Sequence, residues 1–423
     1  MDMRILFTLH NVACKGGSER VVINLCNALC EIKNYEIGIV SYYTDTSEKE
    51  PYAYPINPKV SVSYLYNFDD MHKDYRGLKR ILWRWIKPLV INCRMNRYKD
   101  YDIIIESDFA FFYPRFRVKN TKYIKIVHSV IKKWKKKNNL FDCIVFLNEQ
   151  ELLKWQRSGK HIVKIPNFIP ILPFEDILPK VLESVMKKDD IDSNLHALIK
   201  SHYESLLNKS FYNDTQGFIL AKSILQAWKL QNLESNNPHT KHKLIAVGRM
   251  DAINNHKGFP RLIHAYSKIA HKFPSWQLEI IGQDQGQKAL LEKQILDLQM
   301  KDYIFLKPFT SDMESVYLNA DIFVMSSHTE SMPMVLIEAA SYGLPIVAYD
   351  IGTIRDCFHD NGILVKDNDE KAFCKALSTL MENEEKRIIM GQNGIKLAKD
   401  TFSKERILKQ WLELFQSLTH IKS

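Results

Sequence analysis

The chain lacks the long apolar segments that membrane-spanning proteins need. No run of 18 apolar residues occurs in its 423 residues, so we expect no transmembrane helix. The stretch from Met1 to Leu9 turns polar too soon for a secretory signal and instead predicts a first β-strand. The seven cysteines show no paired spacing, which favours reduced thiols and a cytoplasmic protein over an exported, disulfide-bonded one.

Length and composition indicate a folded protein with two domains. A chain of 423 residues is too long for one ordinary core and suits two cores of ~200 residues each. Its 45% hydrophobic and 26% charged residues are typical of globular proteins.

Nucleic-acid binding is disfavoured, because no helix-turn-helix, zinc or RNP motif accompanies the basic residues.

The net charge of +10 is concentrated in the first part of the chain. Residues 1–170 carry 29 Lys and Arg against 17 Asp and Glu, whereas the remainder carries 30 against 32. Residues 73–99 hold nine basic residues and one acidic residue, and residues 115–137 hold ten basic residues and no acid. This asymmetry predicts that one domain faces an anionic surface or substrate.

Residues 73–99 have the pattern of a basic amphipathic helix. The basic residues lie off an apolar stripe at helical spacing, formed by Leu78, Ile81, Leu82, Trp85, Ile86 and Leu89. Such a pattern is typical of helices that lie on an anionic membrane, although an ordinary amphipathic helix with a solvated basic face is the alternative. We favour peripheral attachment to the inner face of the cell membrane through residues 73–99 and 115–137.

Alternation of strands and helices predicts an α/β fold with two doubly wound, mostly parallel sheets. The first strand leads into Gly16-Gly17 and a helix with Ser18 as its N-cap, a geometry that binds phosphate but also occurs as a plain tight turn. The predicted order is an N-terminal domain over 1–170, a helical insertion over 171–241, a second domain over 242–400 and a C-terminal helix over 401–423.

The segment from Thr329 to Asp350 has the most informative pattern. Glu330 and Glu338 lie eight positions apart, with a Met-Pro-Met turn between them and a buried helix and strand after them. Carboxylates so placed can hold hydroxyls of one polyol, while the N–H groups of the helix start face an anion. A glutamate that caps the helix and a second, solvated glutamate within it would give the same spacing. The residues around them must therefore distinguish a binding site from this structural alternative.

Two cations precede this segment and could serve the same ligand. Arg249 follows a buried strand in a Gly-Arg turn, and Lys257 lies just before the next helix. A planar arginine and a mobile lysine could together neutralise a diphosphate, although two unrelated surface cations would show the same sequence pattern.

The two glutamates, followed by Gly343-Leu344-Pro345 and Asn361-Gly362, resemble the donor-site signature of the retaining GT-B glycosyltransferases of family 4. The resemblance implies two Rossmann-like domains facing a cleft, with a helical insertion at their junction and a C-terminal helix that returns to the first domain. It implies retaining transfer of a sugar from a nucleotide-sugar, UDP ahead of GDP, to a glycan or lipid-linked acceptor in polysaccharide or lipopolysaccharide synthesis. No metal or other cofactor is expected.

The resemblance also implies individual roles. Glu338 would bind the ribose hydroxyls and Glu330 the sugar hydroxyls, while Arg249 and Lys257 would stabilise the leaving diphosphate. The loop before Lys257 is a few residues longer than in the family. His128, after a strand at the carboxyl edge of the first sheet, would orient the sugar. Further donor contacts are predicted at Gly16, Gly17, Gly248, Met332, Pro333, Met334, Val335, Gly352 and Thr353.

Other readings of the chain remain open. Asp190-Ile191-Asp192 and Asp367-Asn368-Asp369 resemble the Asp-x-Asp of metal-dependent GT-A transferases but lack the flanking strand, so we interpret them as solvated acids. A sugar-nucleotide epimerase or an inverting transferase is disfavoured by the spacing of the two glutamates. A catalytically silent GT-B module that binds a nucleotide-sugar or a membrane as a scaffold is disfavoured because all the cleft residues are present.

Overall fold

The computed structural model describes residues 3–43, 52–66, 77–107, 112–186, 200, 206, 215–231 and 242–419. The chain divides into two compact units, one formed by Met1–Phe168 with Lys404–Ser423 and the other by Ile169–Ser403. Each unit contains one large parallel sheet, so the predicted α/β class is confirmed. The helices of the predicted insertion fall within the second unit.

The sheet of the first unit has seven strands in the order β3-β2-β1-β4-β5-β6-β7. All neighbouring pairs are parallel. The central strands are buried along almost their whole length, because parallel sheets are covered on both faces and therefore favour continuous apolar runs. The strands are β1 (Met3–Asn11), β2 (Tyr35–Tyr43), β3 (Ser61–Tyr64), β4 (Ile103–Glu106), β5 (Lys122–Val127), β6 (Cys143–Phe146) and β7 (Ile162–Lys164).

Four α-helices of the described residues belong to this unit, namely α1 (Gly17–Leu29), α2 (Leu78–Met95), α3 (Glu149–Trp155) and α12 (Lys404–Thr419). The last helix packs against α1 and buries one apolar face that includes Ile407, Trp411 and Phe415. The prediction that Ser18 caps α1 is wrong. The N-cap is Gly16, and Ser18 lies in the first turn, where its hydroxyl donates to Glu19 Oε2 at 2.9 Å.

The sheet of the second unit has six parallel strands in the order β12-β10-β8-β13-β14-β15. They are β8 (His242–Val247), β10 (Trp276–Ile281), β12 (Ile304–Lys307), β13 (Ile322–Met325), β14 (Ile346–Asp350) and β15 (Gly362–Lys366). Two short strands, β9 (Met250–Asp251) and β11 (Asp284–Gln285), pair separately beside the ends of β8 and β10. The central position of β8 and β13 makes their carboxyl ends direct neighbours.

The helices of the second unit pack around this sheet. They are α4 (Leu178–Met186), α5 (Thr215–Gln231), α6 (Phe259–Ser267), α7 (Lys288–Asp297), α8 (Met313–Leu318), α9 (Met334–Ser341), α10 (Glu370–Glu382) and α11 (Glu384–Phe402). Helix α9 is nearly all buried, and α11 packs closely on it. A Cβ at Gly394 would lie 3.0 Å from the Ala340 carbonyl oxygen, so the missing side chain permits this approach.

Helices α4 and α5, the described part of the predicted insertion, form a layer on the second unit. They share an apolar cluster with α8 and α11 in which Phe174, Leu182, Phe218, Leu225 and Ile395 are buried. The Phe218 ring faces Gly343 and Gly391, where a Cβ would meet its carbon atoms at 2.9 Å and 3.2 Å. The described part of the insertion therefore belongs to the hydrophobic core of the second unit.

Replacing Phe218 tests whether this layer stabilises the second unit. We expect Phe218→Ala to lower the free energy of unfolding by about 3–5 kcal/mol, because it removes a buried ring and leaves a cavity against two glycines. Ile219→Ala on the same helix is the matched control, since that side chain is 37% exposed. Urea unfolding followed by fluorescence measures both, and equal losses would show that α5 does not contribute in this way.

Candidate functional site

The carboxyl edge of the second sheet carries most of the predicted site residues. Gly248 and Arg249 follow β8, and the segment that contains Glu330 leaves the end of β13, the neighbouring strand. Gly352 follows β14, the next strand. Because the three strands are parallel, the three loops leave from one edge, which is where such sheets place their ligands.

Lys257 and Glu330 form an ion pair at this edge. The Lys257 Nζ–Glu330 Oε1 distance is 2.7 Å, and the two side chains are 22% and 15% exposed. The Ser327 hydroxyl donates to the same carboxylate oxygen at 2.9 Å, and Thr353 Oγ1 donates to the Glu330 carbonyl at 2.6 Å. The structure thus brings together three predicted residues and adds Ser327, which the sequence pattern did not single out.

Two glycines make room for this pair. The alkyl chain of Lys257 lies across Gly248, where a Cβ would stand 2.7–2.9 Å from three of its carbon atoms. Gly258 has a φ of +62°, and a Cβ there would overlap the Ser326 carbonyl oxygen. Ser326 in turn donates its hydroxyl to the carbonyls of Lys257 and Gly258 at 2.9 and 3.0 Å. The backbone of the Lys257 loop is therefore fixed against the end of β13.

Arg249 differs from Lys257 in having no internal partner. Its side chain is exposed, and among the residues that the structure describes it makes no hydrogen bond or ion pair. A guanidinium offers five N–H donors in a planar fork that matches phosphate oxygens. Arg249 is thus available to bind an anion at the edge where Lys257 and Glu330 lie.

The start of α9 lies four positions after Glu330 in the chain. The helix begins at Met334, and Pro333 at the N-cap provides no side-chain hydrogen bond. The first N–H groups of a helix lack internal acceptors, and the helix dipole favours negative charge there. Met332 and Met334 are buried and anchor the turn, whereas Val335 is half-buried. The prediction of an anion-facing turn is consistent with this geometry.

Glu338 lies deeper than the sequence pattern suggested. The residue is 5% exposed, and its Oε2 accepts a hydrogen bond of 2.8 Å from the Tyr317 hydroxyl. Tyr317 is itself buried and stacks on Tyr342, with the ring centroids 5.2 Å apart. Nothing in the sequence pattern pointed to Tyr317, because α8 and α9 meet only in the folded protein. The glutamate is held by a tyrosine rather than solvated.

Gly352 and the second Asp-x-Asp make contacts within this unit. Gly352 adopts a φ of +82°, and its N–H donates to Asp350 Oδ1 at 2.9 Å. Asp367 accepts from Arg261 Nη1 at 2.8 Å, and Asp369 caps α10. The second Asp-x-Asp is therefore occupied in structural contacts, and Asp190-Ile191-Asp192 lies outside the described residues.

The predicted residues of the first unit lie at two places in that unit. Gly16 precedes α1, where a Cβ would overlap the Glu19 carboxylate, whereas a Cβ at Gly17 would meet nothing within 4 Å. His128 follows β5, as predicted, and its Nε2 is buried without a hydrogen-bond partner among the described residues. Burial lowers the pKa of His128 to about 4, so the imidazole is neutral near pH 7.

The protein has a GT-B fold, with two Rossmann-like units that each contain one large parallel sheet. Residues 230–397 match the family model described as Glycosyl transferases group 1. This region includes Arg249, Lys257, Glu330 and Glu338. The matched region and the fold together support a glycosyltransferase.

Individual relatives extend this similarity. A protein of Haemophilus influenzae described as an uncharacterized glycosyltransferase is 24% identical, and the match covers 96% of this chain and 98% of that protein. The amylovoran biosynthesis glycosyltransferase AmsD of Erwinia amylovora is 29% identical, over 41% of this chain and 48% of its own length. The structure of S. aureus TarM in complex with fondaparinux, alpha-GlcNAc-glycerol and UDP has a TM-score of 0.67 at 13% identity, over 98% of this chain and 99% of that chain.

Gly258→Ala tests whether the Lys257 loop requires a glycine at the end of β13. We expect a loss of stability clearly larger than that of Gly286→Ala, which is also left-handed but has only the Ala252 Cβ nearby, at 3.6 Å. The control should lose about 1–2 kcal/mol from the backbone conformation alone, whereas Gly258→Ala adds an overlap with backbone. Urea unfolding of the two variants gives the difference, and equal losses would contradict the packing described.

Proposed function

We propose that the protein is a retaining glycosyltransferase that moves a sugar from a nucleotide-sugar, with UDP favoured, to a glycan or lipid-linked acceptor. The observation that carries the proposal is the exposed Arg249, which has no partner among the described residues and lies on the sheet edge that also holds the Lys257–Glu330 pair. The family match over residues 230–397 supports the reaction class. The presence of UDP in the structure of TarM supports a nucleotide donor.

In this proposal the cations stabilise the leaving diphosphate. Arg249 binds it as a fork, and Lys257 exchanges part of its contact with Glu330 for the negative charge that grows as the sugar departs. Glu330, released from a full ion pair, accepts hydrogen bonds from the sugar hydroxyls. The start of α9 adds backbone N–H groups for the same anion. Preorganised cations of this kind act mainly on the transition state rather than on the ground state.

Two further roles follow from the buried groups. Glu338, oriented by Tyr317, accepts hydrogen bonds from the ribose hydroxyls. His128, neutral near pH 7, offers a hydrogen-bonding nitrogen to the sugar without adding a positive charge. We assign no nucleophile on the enzyme: the leaving phosphate accepts the acceptor's proton on the same face, which retains the anomeric configuration.

We also propose that catalysis needs no metal and no other cofactor, because Arg249, Lys257 and the start of α9 would together supply the positive charge for the diphosphate. Retained activity in the presence of a chelator is the expected result, and loss of activity restored by Mg²⁺ or Mn²⁺ would contradict it. The biological setting proposed is synthesis of a cell-surface polysaccharide or lipopolysaccharide. The named role of AmsD in amylovoran biosynthesis supports that setting.

Slow hydrolysis of the donor in the absence of acceptor separates this proposal from its rivals. A transferase releases free sugar and nucleoside diphosphate, whereas an epimerase would interconvert the sugar without releasing it. A silent binding module would bind the nucleotide and release nothing. Screening UDP, GDP, ADP and CMP with their sugars by thermal stabilisation first identifies the donor.

Arg249→Ala should weaken binding of the identified nucleoside diphosphate about 10–100-fold. The reason is that a hydrogen bond to a charged group contributes about 1.5–3 kcal/mol, and each 1.4 kcal/mol corresponds to a factor of ten. Calorimetric titration measures the dissociation constant for wild type and variant. Lys272→Ala, which removes one exposed positive charge elsewhere in the same unit, should leave the constant unchanged. Equal affinity in Arg249→Ala and wild type would remove Arg249 from the site.

Helix α2 supports a second part of the proposal, which is peripheral attachment to an anionic membrane. The six residues of its apolar stripe are all exposed, with Leu78 and Trp85 each 78% exposed. Lys87, Asn92 and Ile91 are buried instead, on the side that packs into the first unit. An ordinary amphipathic helix would bury its stripe, so this orientation favours an apolar partner outside the protein.

The second basic stretch lies next to this helix. The backbone N–H of Arg115 donates to Asn92 Oδ1 on α2 at 3.1 Å, and the neighbouring Phe116 is 52% exposed. Arg115, Arg117 and Lys119 are exposed as well. Apolar side chains flanked by cations match the boundary between acyl chains and anionic headgroups. We propose that these exposed apolar and basic side chains attach the protein to the anionic inner surface of the membrane. Among the described residues no helix has the length and apolar content to cross a bilayer.

Trp85→Ser is expected to weaken binding to vesicles that contain anionic phospholipid at least tenfold. The indole ring is almost fully exposed, and removing it eliminates much of the apolar area that the bilayer would cover. Co-sedimentation with vesicles measures the effect at fixed salt concentration. Leu290→Ser is the matched control, because Leu290 is 62% exposed and belongs to the second unit, whereas both basic stretches belong to the first. Similar binding by all three proteins would exclude α2 as the docking element.

A further inference from the structure

A cavity of about 310 Å³ opens in the first unit beside the end of β5. Ligand pockets are typically ~300–1,000 Å³, so its volume suits a small group rather than a whole nucleotide-sugar. Its lining residues include Tyr113, Lys125, His128 and the three lysines 132, 133 and 135. No Asp or Glu is among the described residues that line it. The cavity is therefore strongly cationic.

Lys125 is the unusual member of this group, because it is only 7% exposed in the middle of a sheet. It is paired in register with Glu106 on β4, which in turn accepts hydrogen bonds from Thr8 and Tyr42 at 2.6 and 2.5 Å. Lys125 Nζ lies 3.4 Å from Asn138 Oδ1 and 5.0 Å from the centre of the Tyr113 ring. A buried ammonium is thus held at the floor of the cavity.

The neighbouring lysines add like charge around it. Lys137 Nζ lies 3.9 Å from the centre of the same Tyr113 ring, and burial together with Lys135 and Arg115 lowers its pKa. The pKa of Lys125 is lowered to about 8, mainly by burial and partly by Lys137 and Lys135, whereas Glu106 acts in the opposite direction. Cations kept this close repel one another and are incompletely solvated, so an anion bound among them would be favoured by both effects.

We propose that this cavity binds a phosphate ester of the acceptor, with Lys125 at its floor and Lys133 and Lys135 at its rim. The assignment of the phosphate to the acceptor rests on the proposed transferase function, whereas phosphate binding itself does not. The shared chemistry is a phosphate monoester or diester, which can belong either to a soluble acceptor or to a lipid. Part of the basic stretch 115–137 would then serve recognition of a ligand in addition to membrane attachment.

Binding should depend on pH in a defined direction. Lys125 faces Glu106 from β4 and Lys135 and Lys137 from the segment after β5, and its pKa in the ligand-free protein is about 8. At pH 7 the ammonium is charged, whereas at pH 9 it is mostly neutral and attracts an anion less. A bound phosphate raises this pKa, so binding takes up protons near pH 8. Affinity for inorganic phosphate, which is a dianion at both pH 8 and pH 9, should therefore fall between them.

The test is calorimetric titration of the full chain with inorganic phosphate, pyrophosphate and glycerol 3-phosphate. We expect binding by wild type, and at least a tenfold loss in Lys125→Met and in the double variant Lys133→Ala/Lys135→Ala. The double variant changes exposed side chains only, so it decides the question if Lys125→Met fails to fold. Lys119→Ala removes one exposed charge of the same basic stretch outside the cavity and should bind as wild type does.

Two further arms separate the possible sources and the two functions. Binding of glycerol 3-phosphate that the double variant loses indicates a soluble phosphate ester. Loss of binding to vesicles with phosphatidic acid, at unchanged binding to vesicles of equal charge that contain phosphatidylserine instead, indicates a lipid phosphate, and both results support the site. Thermal stabilisation by the donor nucleotide should be unchanged in the double variant. No binding of any phosphate by wild type, an equal loss in Lys119→Ala, or a parallel loss of nucleotide stabilisation would overturn the proposal, the last by making the cavity part of the donor site.

Discussion

Parallel strand pairing is the constraint on which both units of the protein depend. Each parallel neighbour must be reached by a connection that crosses a face of the sheet, and in most cases this connection contains a helix. The same rule directs the carboxyl ends of all strands to one edge. Lys257 and Glu330 are 73 positions apart in the chain, yet they meet because β8 and β13 are neighbours. The chemistry of the second unit therefore depends on strand order more than on any local motif.

Much of the fold could be predicted from the sequence, because parallel strands are short, continuous apolar runs between helices. The first strand, predicted within residues 1–9, is β1 (Met3–Asn11), and the strand predicted before His128 is β5 (Lys122–Val127). The candidate site could be proposed from the sequence as a set of residues, since glycines, cations and carboxylates follow buried strands in a recognisable order. The pattern shows which residues follow a strand along the chain. In a parallel sheet such residues lie at the carboxyl edge.

The contacts among these residues could not be predicted, because they depend on tertiary packing. Nothing local indicates that Tyr317 donates to Glu338, or that Lys257 lies across Gly248 to reach Glu330. Ser18 failed as an N-cap because glycine occupied that position, which periodicity does not resolve. The orientation of α2 was equally hidden: its apolar stripe was evident, but the choice between core and solvent is made by the rest of the unit, which buries Lys87 instead.

The outward-facing stripe of α2 also affects how copies of the chain behave toward one another. With a net charge of +10, two copies repel at low ionic strength, and the repulsion is screened beyond about 8 Å in physiological salt. Apolar contacts made by the six exposed side chains of the stripe are not weakened by salt in the same way. Salt would therefore act in opposite directions on two associations: it weakens the proposed attraction of the basic residues to an anionic surface, while it lets the stripes of two copies approach. The same helix would thus take part in both self-association and the proposed surface attachment.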